Sequence, residues 1–370
     1  MIWHLIWILL LTVCLISGFL IYRNPRFIGS SRSTEENISI IVPARNEAHN
    51  LPALLDSLHM QTHKNWEVII ADDGSTDGTR RVGESSGATV IDVPEGEWRG
   101  KSHACHHAAR HARYGILIFM DADTAFTDAD SLARIRRQYH LQEDRGVLSI
   151  QPFHQTVRFY ETFSAIFNIV TITGMNIFSA FGERMQTSTV FGPFLMTNRR
   201  DYASTGGHMN AKETLIEGMG IYRGYHDVDL PITLYMGHGV LQFRMYPKGL
   251  HSVVKGWQKH IASGAENTEA SVMALIMLWL SGTIIAPVYL VTTAIWHIET
   301  LLLPSAFYIF YALQFMWMGR KVICLPWYSY IFYPLYSLFF FHVYARSFIQ
   351  THITKKVEWK DRKIDLKKRK

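Results

Sequence analysis

Three short polar clusters in this chain could do chemistry, and each comes directly after an apolar run. Asp121-Ala122-Asp123 follows Ile118-Phe119-Met120. Two carboxylates at i and i+2 can present hard oxygen ligands to Mg2+ or Mn2+, and such an ion bridges a diphosphate. The same pair also fits a turn with solvated carboxylates. Asp72-Asp73-Gly74-Ser75-Thr76-Asp77 ends a second run. Its carboxylates can accept hydrogen bonds from a base N–H or a ribose hydroxyl, while Gly74 allows a tight turn; a helix cap reads the same way. Pro43-Ala44-Arg45-Asn46-Glu47 ends a third run and sets Arg45 and Asn46 where a nucleotide would lie, or is a turn with a helix start. Taken together, the three point to one nucleotide-diphosphate-metal site.

The elements that must position them alternate strand and helix. ISIIVP (38–43), WEVIIAD (66–72), ATVIDV (88–93) and GILIFMDAD (115–123) read as strands, with helical spacing at Leu51, Leu54, Leu55 and Leu58 and again from Gly100 to Arg113. Such alternation predicts an α/β fold with a mostly parallel sheet covered on both faces. Ligands of these sheets bind beyond the carboxyl ends of the strands, where all three clusters lie.

Two further features invite other readings. Gly100-Lys101-Ser102 has the ending of a phosphate-binding loop, but the leading glycine would fall on Glu95, so ATP binding by such a loop is rejected. Lys101 either reaches a donor phosphate or is a surface lysine. His103, His107 and His111 share a helical face, without the Cys, Asp or Glu arrangement that would make a metal site of them.

Composition supplies the setting. The 370 residues are 48% hydrophobic but only 18% charged, less charge than a water-soluble chain of this size carries. The net charge of +6 resides entirely in Lys355–Lys370, which excludes a basic face for nucleic acid and suits a tail on anionic lipid headgroups. Residues 2–22 lack Lys, Arg, Asp and Glu and are followed by Arg23, Arg26 and Arg32, which predicts a retained anchor (1–23) with the middle of the chain in the cytoplasm. Residues 271–296, 301–318 and 323–345 are apolar again, with Trp279, Trp296, Trp317 and Trp327 near ends or bends as in an aromatic belt. An even number of spans must separate a cytoplasmic middle from a cytoplasmic tail (355–370), so one of these three C-terminal membrane segments (271–349) is expected to be re-entrant or interfacial. Segment 163–181 reads as a helix at the membrane interface or a core helix. Cys14, Cys105 and Cys324 form no disulfide pattern, in keeping with a reduced compartment.

SIIVPARNE (39–47), IIADDGSTD (69–77) and FMDAD (119–123) resemble family 2 glycosyltransferases of the GT-A fold, over residues 37–260. The resemblance implies that Asp73 contacts the donor base and that Asp123 ligates the metal with Asp121 beside it; Pro43, Arg45, Glu47, Asp72, Lys101 and Asp121 are the candidate donor-binding residues around them. GEWRGKSHAC (96–105), VLSIQPFHQT (147–156), RFYETFSAIFNIV (158–170), FRMYPKG (243–249) and KGWQKH (255–260) are similar to membrane glycosyltransferases of staphyloxanthin-type carotenoid synthesis. That similarity implies UDP-glucose as donor and a C30 carotenoid acid as lipid-soluble acceptor. Membrane lipids, and other enzymes of that pathway, are the partners it implies.

One departure bears on mechanism. Inverting members of the family place Glu-Asp at a helix start, where the aspartate deprotonates an acceptor hydroxyl; here the place reads Leu215-Ile216-Glu217-Gly218. The Gln-x-x-Arg-Trp motif of processive synthases is missing too. A carboxylic acid acceptor is already ionised at pH 7, having a reference pKa of about 4, and needs no base. The expectation is direct attack by an acceptor carboxylate, with Asp121 and Glu217 catalytic and Glu217 orienting the donor sugar or a neighbouring cation. Another membrane lipid as acceptor, or a nucleotide-sugar-binding protein without catalysis, remain as alternatives. A transporter does not fit apolar segments that lack an intramembrane charge pair.

Overall fold

The structure is a computed structural model that describes residues 2–32, 36–96, 98–187, 189–212, 214, 217–264, 268–296, 298–349, 356–359 and 362–365. In chain order its elements are α1 (Ile2–Ile21), β1 (Ile38–Ala44), α2 (Leu51–His59), β2 (Trp66–Asp72), α3 (Thr79–Ser85), β3 (Thr89–Asp92), α4 (Lys101–Ala109), β4 (Ile116–Met120), β5 (Thr124–Phe126), α5 (Ser131–His140), β6 (Val147–Gln151), β7 (Phe153–His154) and α6 (Ala165–Thr173). There follow β8 (Phe194–Asn198), α7 (Arg199–Ser204), α8 (Glu217–His226), β9 (Ile232–Met236), β10 (Leu241–Phe243), α9 (Leu250–Gly264), α10 (Ala270–Trp296), α11 (Leu302–Gly319), α12 (Tyr328–Ile331), α13 (Tyr333–Phe348), β11 (Lys356–Trp359) and β12 (Arg362–Asp365).

The chain divides into two compact units, one formed by Pro25–Gln155 with Ser188–Arg244, the other by Met1–Asn24, Thr156–Thr187 and Met245–Lys370. Of the range 37–260, residues 37–155 and 188–244 fall in the first of these units and 156–187 and 245–260 in the second.

The first unit is built on a seven-stranded sheet of order β3-β2-β1-β4-β8-β6-β9. Its pairs are parallel except for those of β8, which runs antiparallel to both β4 and β6. Of the runs named from sequence, β1, β2 and β4 are largely buried, β4 at every position, whereas β3 at the sheet edge is exposed or half-buried. Alternate residues then serve alternate faces. Ile38, Ile40, Val42, Ile116, Ile118 and Met120 share one core layer with Leu51, Leu54, Leu55 and Leu58 of α2. Truncating one of those leucines to alanine costs about 2–5 kcal/mol. Met120 pairs with Phe194 at the end of β4, so Asp121 and Asp123 lie in the turn before β5 rather than in the strand. A second sheet, of order β5-β10-β7, holds that turn from the other side, and the Arg244 amide donates to the Asp123 carbonyl.

Among the described residues of the second unit, three helices are long and apolar enough to cross a membrane: His4–Ile21, Ala270–Trp296 and Leu302–Gly319. Helices α1 and α11 run parallel, because contacts climb both in step: Tyr311 to Leu11, Gln314 to Leu15, and Trp317 to Phe19 and Tyr22. Trp279 is not part of an exterior belt. It is 1% exposed, and its indole N–H donates to Gln314 Oε1 at 3.1 Å, whereas Trp296 and Trp327 are exposed. The run 323–345 breaks at Phe332 and yields the four-residue α12 and the sixteen-residue α13. Within 163–181 the α-helix is only Ala165–Thr173. Its Phe167 stacks on Trp257 of α9 and meets Phe340 of α13. The basic tail lies outside the described residues except for the β11–β12 hairpin.

Candidate active site

The Pro43–Glu47 and Asp72–Asp77 clusters are laced together. Asn46 takes a left-handed backbone (φ 56°), its amide donates to Ser75 Oγ, and its side-chain oxygen accepts from the Thr76 amide at 2.8 Å. Asp77 accepts from the Ala48 and Thr79 amides and from the Thr79 hydroxyl, and these bonds, led by the hydroxyl, hold its carboxyl below the usual range. The Glu47 amide donates to Thr79 Oγ1, and Glu47 Oε2 accepts from Asn50. Asp72 is buried, with Oδ1 capping the Ser75 amide. Asp73 is left facing Arg45 across 3.8 Å. Pro43 stays inside β1, paired with Ala71.

The centre of charge lies around Lys101, the first residue of α4. Its ammonium is 2.7 Å from Asp121 Oδ1 and 3.0 Å from Glu217 Oε2, and it donates to the Gly192 carbonyl at 2.9 Å. An ammonium has three donors, so Lys101 is fully engaged by this chain alone. Burial lowers its pKa, but the two carboxylates more than reverse that and hold it charged.

Glu217 opens α8. Burial pushes its carboxyl up, and Lys101 with the His208 hydrogen bond overturns that, to about 2. Its second oxygen, Oε1, lies 2.8 Å from His208 Nε2, and His208 Nδ1 lies 2.9 Å from the Tyr202 hydroxyl. His208 is completely buried, and Cys105, also buried, stands in the same cluster. Burial first, then Glu217, pushes the Cys105 thiol well up, so it stays neutral. Within the Cys105-His208-Glu217 group, the Glu217 carboxylate already serves both His208 and Lys101. The other cluster of ligand type among the described residues, Glu36-His140-Asp144, already holds the Arg136 guanidinium, 2.6 Å from both Glu36 and Asp144.

Asp123 behaves differently. Burial, then Asp121 and Glu47, raise its carboxyl to about 7. Asp121 is raised as well, by burial and by Glu217 against the pull of Lys101. Asp121 and Glu47 both repel the Asp123 carboxylate, and that excess of negative charge is what a hard divalent cation would neutralise.

Position 218 closes the site on one side. A Cβ on Gly218 would lie 2.1 Å from the Val190 carbonyl oxygen and 2.6 Å from Thr189 Oγ1. Leu215 and Ile216, which precede it in the sequence motif, lie outside the described residues.

The structure thus brings Lys101, Asp121 and Glu217 into contact and puts Arg45 beside Asp73, while Glu47 acts on Asp123 through its charge. Sequence reasoning missed His208, Tyr202 and the Gly192 carbonyl. The signal for His208 was the pair Gly206-Gly207, both at positive φ, which turns the chain so that the Tyr202 ring packs where a Gly207 side chain would be.

The profile of the family described as Glycosyl transferase family 2 matches residues 39–205. The chain is 39% identical over 334 residues to the 4,4'-diaponeurosporenoate glycosyltransferase of Staphylococcus aureus (strain USA300), covering 90% of this chain and 89% of that one. The counterpart from the bovine strain RF122 / ET3-1 is also 39% identical, over 336 residues. Among solved structures, the mannosyltransferase PcManGT from Pyrobaculum calidifontis in complex with GDP-Man and Mn2+ superposes with a TM-score of 0.55 at 18% identity, covering 95% of this chain and 99% of that one. That likeness is one of fold, and it is the GT-A fold that the polar clusters led one to expect. The strand-end clusters, the mixed sheet and the identity to these relatives converge: the chain belongs to glycosyl transferase family 2 and is a glycosyltransferase.

Proposed function

We propose that this enzyme transfers glucose from UDP-glucose to the carboxylate of a C30 carotenoid acid, 4,4'-diaponeurosporenoate, with inversion at C1, giving a glucosyl ester. The observation that carries the reading is the absence of room for a base. The family's aspartate would stand at Gly218, where a side chain collides with the Val190 carbonyl. Glu217 beside it, with a pKa of about 2, is too weak a base to take a hydroxyl proton at neutral pH. An acceptor carboxylate needs neither. Its oxygen attacks C1, the bond from C1 to the diphosphate oxygen breaks, and UDP leaves with the electron pair; no proton has to move. The named Staphylococcus aureus relatives support the acceptor.

Asp73 and Arg45 face the donor base, with Pro43 and Asp72 behind them. Glu217 acts on a neighbouring cation, Lys101, and keeps it between two carboxylates at the donor end. In the cell membrane, Arg23, Arg26 and Arg32 after α1 favour a cytoplasmic sheet unit, and α10 and α11 return the chain to that side.

Purified enzyme given UDP-glucose, Mn2+ and the carotenoid acid should yield the acyl glucoside, identified by its mass and its release with mild alkali. Transfer to lipid alcohols with the acid left unused would sink this reading.

A further inference from the structure

The chain Tyr202–His208–Glu217–Lys101 contains more information than its distances. The Tyr202 hydroxyl accepts from the backbone amide of His208 at 3.3 Å and lies 2.9 Å from Nδ1 of the same residue. It has one proton to give, and burial keeps the phenol protonated. Among the described residues its acceptor is Nδ1. A neutral imidazole that accepts at Nδ1 carries its hydrogen on Nε2 and donates it to Glu217 Oε1. The rings cannot turn away, since Phe119 stacks on Tyr202 at 5.0 Å and lies 4.5 Å from the His208 ring.

We infer that His208 is a positioning residue of the transfer reaction, fixed as the Nε2–H tautomer by the Tyr202 hydroxyl, and that its bond to Glu217 Oε1 turns Oε2 onto Lys101. Without it, Glu217 is free to rotate about its terminal bond and the ammonium loses its second carboxylate. The geometry matches the way an outer partner fixes the tautomer and direction of a histidine in front of a functional group. This role rests on the reading above only in that Lys101 and Asp121 face the donor.

Two measurements test it on full-length protein in lipid nanodiscs. With 15N-labelled histidine, the His208 resonances, identified by their loss in His208→Gln, should show a neutral ring protonated at Nε2, and Tyr202→Phe should abolish that pattern. In kinetics, His208→Leu should lower kcat about 100-fold, the scale of a misplaced positioning group, with KM for UDP-glucose changed far less. His208→Gln, which keeps an N–H donor, should recover most of that loss. An Nδ1–H or doubly protonated ring in the wild type overturns the assignment, and so does a folded His208→Leu enzyme with wild-type kcat. If the wild type glucosylates no carotenoid acid, the acceptor reading fails, while the ring spectrum and the rate of UDP-glucose hydrolysis still decide the role of His208.

Discussion

A Cβ on Gly218 would stand 2.1 Å from the carbonyl oxygen of Val190, so backbone closes the position we propose as the counterpart of the family's base. Loss of the aspartate is therefore more than one altered side chain, and restoring it should not restore its chemistry. Gly218→Asp is expected to unfold α8 locally and to lose transfer to the acid at least 10-fold, without gaining transfer to alcohols. Rates with paired acid and alcohol acceptors check this, and a variant that glucosylates alcohols would show the site can still take a base.

Asp123 offers a test by pH. Its carboxyl is raised to about 7, and a cation takes only the ionised form, so protons compete with metal. Apparent Mn2+ affinity should fall about tenfold per pH unit below 7 and level off above it. The metal-free protein should lose stability as pH rises from about 4 to about 7, because the folded state holds this proton longer than the unfolded chain. Titrations at pH 6, 7 and 8 decide the first point, and an affinity flat with pH contradicts it. Asp123→Asn should abolish turnover.

Lys101 and Glu217 should depend on each other. The fall of Glu217 from 4.5 to about 2 corresponds to about 3 kcal/mol in favour of its ionised form. Lys101→Met leaves Asp121 and Glu217 uncompensated and should cost a similar amount, about 3 kcal/mol. The double variant Lys101→Met/Glu217→Gln should be less destabilised than the sum of the two. Denaturation of all four proteins tests the coupling, and strict additivity would remove the ion pair from the account.

Gln314 joins three helices, donating to the Leu15 carbonyl of α1 at 2.8 Å and accepting from Trp279 of α10. Polar bonds of this kind between membrane helices contribute about 0.6 kcal/mol on average. Gln314→Leu should lower the melting temperature in detergent by a few degrees and leave kcat within about twofold. A loss of activity at unchanged stability would give Gln314 another task.

What was legible in the sequence was whatever is written locally. β1, β2 and β4 are buried runs punctuated by polar residues, and the acidic clusters announce themselves by spacing. The core of the site was not legible, because its contacts join residues far apart: Lys101 meets the Gly192 carbonyl across 91 positions and Glu217 across 116. Hydropathy misled at Trp279, which sits in an apolar run but points into the helix bundle to bond Gln314. For the apolar stretch 163–181 it left an interfacial and a core helix open, and the nine-residue helix there is mostly buried, with phenylalanines packed on Trp257 and α13.

The excursion from Thr156 to Thr187 has a consequence for biogenesis. β8 lies between β4 and β6, yet it is made only after that excursion. The ribosome must therefore deliver the 156–187 segment while the sheet still has a gap at its centre, with β4 and β6 unjoined. No single cut in the chain releases the sheet unit whole, since it is assembled from two stretches. A soluble fragment ending at Gln155 would present the open edge of β4, an invitation to aggregate. Maturation of the sheet is thereby tied, in time, to completion of the segment that joins the helical unit.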